Sequence, residues 1–104
     1  MIAKVNVNIV LKTIDKVVVQ LWDVDALVDD LLESKDVSVS GHIEFIFSTS
    51  QSGEANPELQ LRILSLERSE LFRTTTNTML SDLKIHEVTG FAEVTTIDFG
   101  TIEI

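Results

Sequence analysis

The chain has 104 residues, 44% hydrophobic and 24% charged, which is enough for one domain with a packed core and too apolar for a disordered segment. Seventeen acidic against eight basic residues leave a net charge of −9, the wrong sign for a protein that must hold phosphates. The absence of Cys excludes a disulfide scaffold, a Cys-ligated zinc and a Cys nucleophile.

Val, Ile and Thr fill 32 positions, a bias toward strands. From Ile2 to Leu11 polar and apolar residues alternate, with Val5, Val7, Ile9 and Leu11 on one side and Lys4, Asn6 and Asn8 on the other. This pattern predicts a half-buried strand. Lys12 to Asp15 reads as a tight connection and residues 16–22 as a second strand, where Val17, Val18 and Val19 in succession call for burial on both faces.

The period then changes. Val24, Leu27, Val28, Leu31 and Leu32 fall at i, i+3, i+4, i+7 and i+8, which predicts an amphipathic helix over residues 24–35 with Asp23 as its cap. Residues 42–49 return to alternation and predict a strand. Gln51 to Pro57 is the clearest loop. Residues 58–67 are two-sided. Asn56-Pro57 suits a helix start, yet Leu59, Leu61 and Ile63 alternate, followed by a phase slip to Leu64 and Leu66. A bulged strand is the favoured reading, with residues 72–78 as its hairpin partner. Residues 79–84 suit one helical turn, residues 85–96 a strand interrupted at Gly90, and residues 97–104 a last strand. The expected fold is α+β and mostly β: a single-domain antiparallel sandwich or partly open barrel of about seven short strands with one helix.

Four groups of residues invite a functional reading. Asp25, Asp29, Asp30 and Glu33 would share the polar side of the expected helix, and their i, i+4 pairs repel. Such a face suits a basic partner, against the plain alternative of a solvated surface. His42, Glu44 and His86 could form a metal or general-base site only if their strands pair; otherwise they are surface residues. Trp22 is expected to anchor the core, with a binding hot spot as the alternative. Phe99, Ile102 and Ile104 lie in a terminal strand that could add to a neighbour's sheet. Glycine-rich phosphate loops, nucleophile elbows and zinc-helix motifs are missing from the sequence, and no cofactor is expected.

No run approaches the ~20 apolar residues of a membrane span, and the alternating N-terminus lacks the apolar stretch of a signal peptide. The expected compartment is the cytoplasm, for a cellular or a virus-encoded protein. The leading functional expectation is a non-enzymatic interaction or assembly module that works through its surface, as a homo-oligomer or a small subunit of a larger complex. It would bind protein, and neither nucleic acid nor membrane. The first alternative is a small acidic inhibitor that mimics nucleic acid, of the kind phages encode, directed at a basic nucleic-acid-binding enzyme. The second is an acid/base or metal-assisted hydrolase using His42, Glu44 and His86.

Overall fold

A computed structural model of the chain describes residues 2–24, 27–48, 58–74, 77–78, 85–89 and 92–104. Nine strands lie among them: β1 (Ile2–Val10), β2 (Val17–Asp23), β3 (Asp30–Val37), β4 (Gly41–Ser48), β5 (Glu58–Leu64), β6 (Glu70–Arg73), β7 (Asn77–Thr78), β8 (Ile85–Thr89) and β9 (Ala92–Glu103). They form two sheets, one in the order β4-β1-β9-β8 and the other in the order β3-β2-β5-β6, with β7 beside β5 on the same side as β6. Val5, Val7 and Ile9 of β1 and Phe45 of β4 pack with Val17, Val19 and Leu21 of β2 and Leu59, Leu61 and Ile63 of β5. These residues belong to one buried cluster, and each is less than 1% exposed. Alternation explains how β1 builds its half, since Lys4, Asn6 and Asn8 fall on the opposite side and stay partly in water.

The described residues are all-β, which corrects the α+β expectation. No helix covers residues 24–35: residues 27–29 are irregular and Asp30–Val37 is a strand, with residues 25–26 outside the described set. The reason lies in β2. A strand buried on both faces sits inside a sheet and needs a ladder on both edges. It pairs with β5 on one side and with β3 on the other, from Val17↔Val37 to Asp23↔Asp30. The ladder thus takes the backbone groups that a helix would have used internally. Leu32 still reaches the core, because a register shift steps from Leu21↔Glu33 to Trp22↔Leu31 and leaves Leu32 as the extra residue. Leu27 and Val28, the middle of the expected apolar stripe, are instead 93% and 65% exposed.

The sheets are not purely antiparallel either. β1 and β9 run parallel at the centre of the first sheet, from Ile2↔Val94 to Val10↔Glu103. β8 and β9 are separate strands of an antiparallel pair, where one strand interrupted at Gly90 was expected, and β9 then continues unbroken to Glu103. The helical turn expected at residues 79–84 lies outside the described residues. Within β9, Asn6↔Asp98 is followed by Asn8↔Thr101, so β9 carries one extra residue there. Gly100 takes φ +76°, and its N–H donates to Asp98 Oδ1 at 2.8 Å. The bulge turns the inward set from Ile97 and Phe99 to Ile102 and Ile104.

Between the sheets, Lys35 of β3 crosses to β4. Its Nζ donates to the Glu44 carbonyl and lies 5.2 Å from the Phe45 ring centroid.

Candidate functional site

The register brings three loops to one end of the sandwich: residues 11–16 between β1 and β2, 38–40 between β3 and β4, and 65–69 between β5 and β6. Backbone bonds tie them down. The Lys12 and Thr13 N–H groups donate to the Ile104 carbonyl at 2.7 and 3.0 Å, and the Leu11 N–H donates to Ser40 Oγ at 2.9 Å. In the third loop the Ser65 N–H donates to the Ser69 carbonyl at 2.8 Å and the Arg68 N–H to the Ser65 carbonyl at 3.0 Å. These bonds leave Leu66, Glu67 and Arg68 as a three-residue tip. Arg68 holds φ 70°, the left-handed position that such hairpin loops normally give to Gly.

Two adjacent open clefts result. One, of about 370 Å³, is lined by Ile14, Asp15, Lys16, Ser65, Leu66 and Glu67. The other, of about 280 Å³, is lined by Lys16, Val17, Asp36, Val37, Ser38 and Leu66. Leu66 and Lys16 belong to both, and Leu66 is 56% exposed between them. Val39, in the adjoining loop, is 76% exposed. Val17 and Val37 are buried and Ile14 packs against the core, so the apolar floor is fixed by the sandwich itself. Asp15, Lys16, Asp36 and Glu67 are exposed and supply a charged rim.

The residues singled out from sequence lie elsewhere and apart from one another. Of the four carboxylates, Asp25 is outside the described residues. Asp29 Oδ2 meets Arg62 Nη2 at 2.6 Å, Asp30 is exposed at the start of β3, and Glu33 lies 3.8 Å from Lys35 Nζ. With the helix gone, they have no common helical face.

Trp22 is half-buried on the outer face of the second sheet and is not part of the central cluster. The Arg62 guanidinium lies over its ring at 4.4 Å from the centroid. Its indole N–H donates to Gln20 Oε1 at 2.9 Å, and Arg62 Nε donates to Gln60 Oε1 at 2.8 Å. The ring is therefore already occupied by a neighbour of the same chain.

Ile102 is buried, and Phe99 and Ile104 pack against the core. The side chains expected to serve an assembly strand are thus turned into the sandwich.

His42, Glu44 and His86 are not brought together. β4 and β8 are opposite edges of the first sheet, three strands apart. His42 is in register with Asn8 while His86 is in register with Thr95, itself opposite Ala3. Strand spacing and rise put the two histidine backbones roughly 20 Å apart. Among the described residues no group of three or more metal-ligating side chains is clustered, and no helix is long and apolar enough to cross a membrane.

No local motif marks the loop-end clefts in the sequence. Two signals were present: Leu66, out of phase with Leu59, Leu61 and Ile63, and Val39, a lone apolar residue between Ser38 and Ser40.

No protein-family model matches the chain, and no curated protein matches it by sequence. Among solved structures it is similar to a 9R-lipoxygenase from Cyanothece PCC8801, with a TM-score of 0.54 and 19% identity. The match covers 97% of this chain and 16% of the lipoxygenase. A likeness at that identity speaks for the sandwich fold alone, and the chain spans about one sixth of the length of that enzyme.

Proposed function

We propose that the chain is a non-enzymatic, cytoplasmic protein-interaction module that docks through the loop end of the sandwich. The observation that carries this reading is the pair of open clefts floored by Ile14, Val17 and Val37, with Leu66 and Val39 held out in water beside them. Large aliphatic side chains on loop tips contribute little to the fold, and clustered beside an apolar floor they mark a contact surface. The lipoxygenase likeness suits a module, since there the same architecture is one part of a much longer chain.

The test pairs Leu66→Asp with Val39→Asp in a tagged chain expressed in its own host. Both side chains are exposed, so each substitution changes stability by no more than about 0.5 kcal/mol. The co-purifying partner is lost from the double variant and retained by Ile46→Asp, a substitution at an exposed residue of β4. A partner set unchanged in the double variant would contradict the reading.

A further inference from the structure

We propose that the two clefts take a basic, aliphatic peptide segment of a partner protein; this deepens the docking reading and rests on it. The apolar part follows from the floor of Ile14, Val17 and Val37 and from the exposed Leu66 that lines both clefts. Each cleft is near or below the small end of the ~300–1,000 Å³ typical of ligand pockets, and both are open. Two adjacent depressions divided by Leu66 suit neighbouring aliphatic side chains of a segment laid across them, more than one enclosed small molecule.

The basic part follows from charge. Three carboxylates, Asp15, Asp36 and Glu67, and one ammonium, Lys16, line the clefts, and all four are exposed. The lining is thus net anionic on a chain that already carries −9. Like charge disfavours a second copy of this chain, whereas a Lys- or Arg-bearing segment is steered in and held by the rim. Lys16 is the one lining group that opposes such a partner. Its removal is therefore expected to strengthen binding, an outcome that a purely apolar cleft does not predict.

The experiment is fluorescence anisotropy on the full chain with three short labelled peptides, in which Leu alternates with Lys, with Ser or with Glu. The Lys–Leu peptide is expected to bind saturably, on the order of tenfold tighter than the Ser–Leu peptide and more weakly as salt rises; the Glu–Leu peptide is expected not to bind. Asp36→Lys with Glu67→Lys weakens the Lys–Leu peptide on the order of tenfold, Lys16→Ala tightens it by about two- to fivefold, and Leu66→Asp abolishes its binding. Asp30→Lys with Glu58→Lys makes the same change in net charge at the other end of the sandwich, and both residues are exposed. It leaves the affinity within about twofold if the rim acts locally.

Equal affinity for the Lys–Leu and Ser–Leu peptides overturns the basic partner and leaves the docking surface standing. Equal losses from the two double reversals overturn the cleft as the seat, because attraction to overall charge then explains the binding. Failure of the Lys–Leu peptide to bind the parent chain overturns the inference, while the docking reading still stands or falls on the Leu66→Asp and Val39→Asp pair.

Discussion

Arg62 covers Trp22 on a sheet face that simple alternation assigns to water. Its guanidinium lies over the indole ring, donates to Gln60 and meets Asp29, and its side chain is only 12% exposed. A charge so enclosed, with a ring beneath it and two hydrogen bonds to hold it, contributes more than one at the surface. Arg62→Ala is expected to destabilise the chain by about 1–3 kcal/mol, measured by urea denaturation followed by the fluorescence of the single Trp. Arg62→Lys restores only part of this, because an ammonium lacks the flat face and the fork. Arg73 is the control. It makes two hydrogen bonds to Glu70, at 2.9 and 2.6 Å, and these hold the Glu70 carboxyl below its usual range. Both side chains stand in solvent, where screening weakens the pair, so Arg73→Ala leaves the urea midpoint nearly unchanged. Equal midpoint shifts for the two arginines would contradict this assignment. Of the Trp22 cluster, the sequence predicts only that Trp22 closes the strand over residues 16–22, which in the structure runs on to Asp23. That Arg62, forty positions later, lies on it follows from the β2–β5 register, which no local pattern encodes.

At the scale of elements, what was legible is what two-residue alternation can show. β1, β2, β4 and β5 follow their apolar periods, and the alternation of Leu59, Leu61 and Ile63 outweighs the Pro-led helix start. The helix over residues 24–35 failed because five apolar residues at helical spacing are also what a loop followed by a bulged strand can present. The repulsive carboxylate pairs counted against the helix, and the need of β2 for a second ladder decided it. The parallel pairing of β1 with β9 joins the two ends of the described chain and leaves no mark in either segment.

The β9 bulge could be suspected from the switch of the inward set between Phe99 and Ile102. It gives the clearest test at this scale. A Cβ at Gly100 would meet no atom within 4 Å, so substitution there costs backbone strain alone. Gly100→Ala is expected to cost about 1 kcal/mol, and Gly100→Asn clearly less, because Asn tolerates the left-handed region. A Gly100→Ala variant with the parent's urea midpoint would show that the bulge does not need its φ of +76°.

For the whole molecule, the two sheets supply a fixed floor and the loops supply what stands on it. The sandwich buries the inward apolar residues of β1, β2 and β5 almost completely, while the end that gathers the three loops keeps Leu66 and Val39 in water. The proposed basic partner rests on the rim of the clefts, where Asp15, Asp36 and Glu67 outnumber Lys16. This end was the part of the candidate site least legible in the sequence, because Leu66 continues an apolar series and only the turn at Ser65–Ser69 lifts it out.

The docking claim is most directly tested by site-directed photo-cross-linking in the intact cell. A photoreactive phenylalanine analogue is placed at position 66, and for comparison at position 98, where Asp98 is exposed on β9 of the first sheet. Docking through the loop end predicts one discrete adduct with a partner chain from position 66 and none from position 98. Adducts from position 98 alone, or the same adducts from both positions, would contradict it.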